Sequence, residues 1–162
     1  MTTASGTRRV PERRADVWAA LAVLHPYCAV CDVTYVVDGP TKQGTTFLCA
    51  PGEGATPGAG APKGTIVEWT PARVVETRLE LTPETWTTRI ELADVGKGGA
   101  DGTDVTITVT HEPVGGSRLV RFVQRSGITR LVQRTVDSEL AKLPEHLAQA
   151  GAQARTQLSD DA

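Results

Sequence analysis

Between Ile128 and Leu147 the apolar side chains fall at Ile128, Leu131, Val132, Val136, Leu140, Leu143 and Leu147. Steps of three and four place them on one side of an α-helix, the pattern of an element buried along one face. Arg130, Arg134, Glu139, Lys142 and Glu145 take the other positions and are expected to meet water. Residues 14–24 repeat the period on a smaller scale, with Val17, Ala20, Leu21 and Leu24 at i, i+3, i+4 and i+7 and Trp18 beside the stripe. No Ser, Thr or Asn stands where an N-cap is wanted, so this short helix starts weakly, and Pro26 stops it.

The rest alternates with period two. Strands are expected at residues 6–10, 31–37, 45–50, 65–70, 73–82, 86–93 and 104–111, punctuated by Gly, Pro and Asp. Val75, Thr77, Leu79 and Leu81 share one face of their strand, with Glu76, Arg78 and Glu80 on the other. Trp86, Thr88, Ile90 and Leu92 oppose Thr87, Arg89 and Glu91. Val105, Ile107, Val109 and His111 oppose Asp104, Thr106, Thr108 and Thr110. Such strands build a sheet that is wet on one side. The other side needs a cover, and the C-terminal helix is the long candidate. The order is β-α-β6-α: an α+β fold with a seven-stranded antiparallel sheet.

Residues 51–62 are almost wholly Gly, Ala and Pro, which read as a mobile loop. Residues 1–150 read as one domain and 151–162 as a flexible C-terminal tail. Upstream of Gly127, Leu119, Phe122 and Val123 fall off the helical stripe. A kink or break is therefore expected near residues 126–127.

The segments VPERRADVWAAL (10–21), GTIVEWTPARVVE (64–76), GTDVTITVTHEP (102–113) and TRLVQRTVDSELAKLPEHL (129–147) occur in an order and spacing that covers nearly the whole chain. In these the chain resembles the START/birch-pollen-allergen (SRPBCC, helix-grip) superfamily, in particular its polyketide cyclase/dehydrase-like branch. The resemblance implies a sheet gripping a long C-terminal helix, with an internal cavity for a hydrophobic small molecule. That superfamily includes aromatase/cyclases and lipid and hormone carriers, and it has no invariant catalytic triad to carry over, so fold alone does not assign a reaction.

Composition narrows the field. With 162 residues and a formal net charge of −2, the chain has no basic footprint for nucleic acid and no polybasic membrane patch. The opening MTTASGTRR has no apolar core of signal-peptide length, and no stretch approaches a membrane span, so a cytoplasmic protein without membrane insertion is expected. Three cysteines are an odd number and argue against a disulfide framework. Oligomeric state is not legible.

Candidate chemistry is sparse. His111 ends a strand on its apolar face; it is either a general acid or base aimed into the cavity or a hydrogen-bonded strand-end residue. Tyr35 shares a face with Cys31, Val33 and Val37, and its hydroxyl reaches a ligand carbonyl if that face is the inner one. Trp69 and Trp86 offer flat surfaces for an aromatic ligand or simply pack the core. Thr77 and Thr88 are polar points on apolar faces. Phe122 and Arg125 stand where the cavity mouth is expected. His25-x-x-Cys28-x-x-Cys31, with Cys49 elsewhere, has the residue types of a zinc site but lacks a second paired knuckle, so no metal and no cofactor are expected and the thiols are read as structural. The first functional reading is a binding protein for a hydrophobic, aromatic or polyketide-like molecule. The alternatives are a cofactor-independent cyclase/dehydratase working in the same cavity and a regulatory module that binds another protein.

Overall fold

The computed structural model describes residues 1–81, 84–99, 101–113 and 118–160, with side chains at 118–126 and 156–160 outside that description. The elements are β1 (Thr2–Val10), α1 (Arg14–Leu21), β2 (Tyr27–Cys28), β3 (Val33–Val37), β4 (Thr46–Pro51), β5 (Lys63–Thr70), β6 (Val74–Leu81), β7 (Glu84–Asp94), β8 (Thr103–Pro113) and α2 (Arg118–Asp160). The strands form an eight-stranded antiparallel sheet in the order β1-β8-β7-β6-β5-β4-β3-β2. From β2 onward each strand pairs with the next, and β1 joins at the far edge beside β8. The expected α+β plan holds. Its eighth strand is the two-residue β2, which pairs Tyr27 with Thr34 and Cys28 with Val33.

Side-chain parity decides the layers. On β8, Thr103, Val105, Ile107, Val109 and His111 are buried, and Asp104, Thr106, Thr108 and Thr110 alternate with them, half-buried. The outer positions meet β1 in a ladder of hydroxyl pairs: Thr3–Thr110 at 3.0 Å, Ser5–Thr108 at 2.9 Å and Thr7–Thr106 at 2.9 Å. Arg9 extends it by donating to both oxygens of Asp104, at 2.8 and 3.1 Å. Such cross-strand pairs are the unit of sheet stabilisation. Further along the outer face, Arg89 donates to Glu76 at 2.9 Å, to Glu91 at 3.3 Å and to Glu68.

α2 covers the inner face at β1 and β8 and also packs on α1. Val132, Val136 and Leu143 are almost fully buried, and Ile128, Leu140 and Leu147 pack against the same cluster. Leu131 departs from expectation. It lies about 140° round the helix from Val136 at 3.6 residues per turn and is 49% exposed. The expected break is also corrected. α2 is helical through Gly127 and on to Asp160, beyond the boundary drawn at 150. One glycine costs a helix about 1 kcal/mol, and the buried turns that follow outweigh it. Among 151–160, Ala, Gln, Arg and Leu favour continued helix.

Pro144 sits inside α2 and has no N–H to give the Leu140 carbonyl. Arg8 of β1 supplies the missing donor, its Nη1 reaching Leu140 O at 2.8 Å and Ala141 O at 3.3 Å. α1 ends at Leu21 rather than 24, with Ala22 as its C-cap, and its N-cap Arg13 makes no side-chain bond, in keeping with the weak start read from the sequence. No helix among the described residues is long and apolar enough to cross a membrane.

The buried apolar residues fall into two clusters. One joins Val10, Val17, Leu92, Val105, Ile107 and Val109 to the α2 stripe. The second gathers Ala22, Phe47, Ile66 and Val75 under the β4–β6 half of the sheet. Gly64 permits the second, because a Cβ there would lie 2.0 Å from the Phe47 ring.

The helical phase is testable. Leu143→Ala is expected to lower the unfolding free energy by about 2–5 kcal/mol, the range for a buried leucine. Leu131→Ala is expected to stay within about 0.5 kcal/mol. Urea denaturation of the two variants measures both, and equal losses would show that α2 faces the sheet differently.

Candidate functional site

Between the two clusters lies a cavity of about 270 Å³. Its floor follows from strand register: β6 and β7 bring Val75 opposite Ile90, Thr77 opposite Thr88, and Leu79 opposite Trp86, and all six line the space. The two threonines thus set a pair of hydroxyls into an apolar floor. Leu21 and Ala22 at the end of α1 and Phe47 on β4 also line it, as do Tyr35 on β3 and His25 in the connection after α1. Tyr35 packs edge-on against Phe47, ring centroids 5.9 Å apart. His25 Nε2 is buried and has no hydrogen-bond partner among the described residues.

The predicted site residues separate. Tyr35, Thr77, Trp86 and Thr88 come together around the cavity. His111 is 2% exposed and is not among the lining residues. Its ring tilts against Trp86 at 4.9 Å, and its Nε2 stands 3.2 Å from Glu84 Oε2 without the alignment of a hydrogen bond. Trp69 packs edge-on against Trp18 at 4.9 Å, also away from the lining. The side chains of Phe122 and Arg125 lie outside the described residues.

The polar part of the cavity lining was not foreseen. Glu139, His146, Gln149 and Gln153 of α2 contribute to it, together with Cys28, Cys31 and Cys49. Cys28 Sγ lies 3.7 Å from His146 Nδ1, and Cys31 Sγ lies 3.8 Å from His146 Nε2. The cysteine pair therefore meets a histidine of the C-terminal helix, not His25 and Cys49 as the local spacing suggested. The signal was present: positions 139, 146, 149 and 153 fall at i, i+7, i+10 and i+14 and share one flank of α2. Of the four, only Glu139 is singled out by the sequence, as a position that meets water.

No family model and no curated protein matches the chain. Solved structures do. A protein of unknown function from Staphylococcus aureus superposes with a TM-score of 0.66 at 9% identity, covering 96% of each chain. A point mutant of Thalictrum norcoclaurine synthase, solved with a transition-state analogue, gives 0.57 at 13% identity over 90% of this chain and 95% of its own. Ara h 8.0201 gives 0.55 at 14% identity over 88% and 97%. The chain has the helix-grip fold: an antiparallel sheet packed on a long C-terminal helix. At these identities the likeness concerns the backbone plan, and the helix-grip cavity has to be read from its own side chains.

Burial sets their protonation. It pushes the Tyr35 phenol well above its ordinary 10.0, the nearby thiols acting in the same direction. It raises the Cys49 thiol, and it takes Cys31 from 9.0 to about 12, with Glu139 and Cys28 adding to the effect. It lowers His146, favouring the neutral ring. Inside the cavity Tyr35 is therefore a hydroxyl donor at neutral pH.

The sign of the resulting pH dependence is fixed. Tyr35 and Cys49 have raised pKa values in the folded state, so above their ordinary values of 10.0 and 9.0 the unfolded chain loses protons that the folded chain keeps. Stability is fully present below pH 9 and falls as pH rises beyond it. Urea midpoints measured from pH 7 to 11 are expected to drop at the alkaline end, and Tyr35→Phe to flatten the drop. An unchanged alkaline slope in Tyr35→Phe would place the phenol in water.

Proposed function

We propose that this protein binds a small, flat, mainly apolar molecule carrying one or two hydrogen-bonding groups, in the cavity between the sheet and α2. The observation that carries the reading is the arrangement of the floor. Val75, Leu79, Trp86 and Ile90 give apolar and aromatic contact around the Thr77–Thr88 pair, and Tyr35 stands in the same lining. Mostly hydrophobic walls with a few placed polar groups are the usual composition of a small-molecule site. A volume of about 270 Å³ suits a compact ring system better than a long acyl chain.

A second reading has its own support. Tyr35, protonated, and His25, whose buried Nε2 has no partner among the described residues, both line the cavity. A phenol donor and an imidazole at one cavity are the parts needed to polarise a carbonyl and move a proton, as an aldol cyclisation or dehydration requires. The shared fold of norcoclaurine synthase fits this reading as well.

A thermal-shift panel of phenols, naphthols and flavonoid-like compounds tests the proposal, with tryptophan fluorescence as the second readout. Binders are expected to raise stability by about 2.7 kcal/mol at a free concentration 100-fold above Kd. Thr77→Trp, which fills the floor, is expected to remove that shift while the protein stays folded. Silence across the whole panel in both readouts would reject the cavity as a binding site and leave the interaction-module alternative. Turnover of a bound polyketone that is lost in Tyr35→Phe or His25→Gln with binding retained would establish the second reading.

A further inference from the structure

We infer that Cys28, Cys31 and His146 form a binding site for a thiophilic divalent ion of the zinc type, with a fourth coordination position open to the cavity. The two sulfurs and one ring nitrogen all lie within 4.8 Å of one another. The Cys28 Sγ–His146 Nδ1 separation of 3.7 Å compares with an edge of about 3.6 Å for a tetrahedron built on ordinary zinc–sulfur and zinc–nitrogen bonds, and Cys31 Sγ lies 3.8 Å from the other ring nitrogen. The ring stands between the thiols with Nδ1 towards Cys28 and Nε2 towards Cys31, so coordination uses one nitrogen and small movements of the sulfurs. Two thiolates and an imidazole select zinc-like ions over magnesium or calcium, which take oxygen ligands.

The site is held from both sides. Cys28 ends β2 and Cys31 lies in the turn to β3, so the thiols flank a short hairpin. That turn is closed by Asp32 at φ 51°, whose carboxylate accepts the Tyr27 hydroxyl at 2.8 Å and whose carbonyl accepts the Gly52 N–H at 2.9 Å. From α2, Gln149 donates to Tyr27 O at 3.4 Å and accepts from Cys28 Sγ at 4.0 Å, tying the hairpin to the helix one turn beyond His146. Cys28, Cys31 and His146 all line the cavity, so the corner that the protein leaves unfilled opens there. Three protein ligands with one open position is the arrangement of zinc sites that hold a water or a substrate atom. Binding exchanges two S–H protons, released to solvent, for two metal–sulfur bonds, with no change of oxidation state.

The inference does not depend on which organic molecule the cavity takes, because the metal alone is the probe. Cobalt(II) titrated into the full chain under a phosphine reductant is expected to bind one ion per chain. It should give intense thiolate-to-cobalt charge transfer and tetrahedral d–d bands, and zinc should displace it. Cys28→Ser and Cys31→Ser should each weaken binding more than about 100-fold, beyond the 10–100-fold loss typical of an outer-shell partner. His146→Gln should weaken binding while keeping the charge-transfer band, and Cys49→Ser should change nothing. Azide should shift the d–d bands if the fourth position is open, and a fixed spectrum would refute that part. A measurement on the unaltered protein guards against misfolded variants: zinc should shield Cys28 and Cys31, but not Cys49, from maleimide labelling mapped by mass spectrometry. No charge transfer at one equivalent, a Cys28–Cys31 disulfide that survives the reductant, or labelling indifferent to zinc would overturn the site.

Discussion

The structure depends on how closely α2 can lie against β1. At Gly6 a Cβ would come within 2.7 Å of Leu140 Cδ1 and 3.0 Å of Val136 Cγ1, so the absent side chain is what lets the helix settle there. Two residues on, Arg8 occupies the backbone gap that Pro144 opens in the helix, bonding the Leu140 carbonyl. Close packing and a polar tether thus act on the same turn of α2. A helix held this firmly over β1 and β8 buries Val132, Val136 and Leu143.

The cavity follows from that choice. α2 covers the β1–β8 side, while the β4–β6 half builds its own cluster around Phe47, Ile66 and Val75. Phe47 needs the room that Gly64 leaves. The space between the clusters is bounded by apolar side chains from both, with the Thr77–Thr88 pair at the floor and polar residues of α2 also in the lining. Binding and metal chemistry are therefore two readings of one space, with Tyr35 close to both.

Much of the fold was legible because local and global signals agree. Period-two alternation on β6, β7 and β8 is enforced by a sheet with one wet face, and the same parity identified Thr77, Trp86 and Thr88 as inward. The central stripe of α2 was equally plain. Gly127 misled because propensity is a weak local term that a long packed helix overrides. Leu131 misled because a spacing of three from Ile128 looked sufficient when it stands well round from Val136. His111 faced inward as expected, but an inward face serves packing as well as a cavity, and parity cannot separate the two. The meeting of Cys28 and Cys31 with His146 spans more than a hundred positions, and nothing local to Cys-x-x-Cys points to a partner on the last helix.

The tether at Pro144 has a consequence for how the chain tolerates change in length. His146 follows the proline by two residues, so its direction is referenced to the Arg8 contact rather than to the distant ends of α2. Adding or deleting one residue between Leu140 and His146 would turn the imidazole about 100° around the helix axis and away from the cysteine hairpin. The same change after Gln153 would leave that direction untouched. The segment from 136 to 149 thus works as a fixed-phase rod, and insertions belong in the 52–62 loop, where glycines 52, 54, 58 and 60 have open space around them.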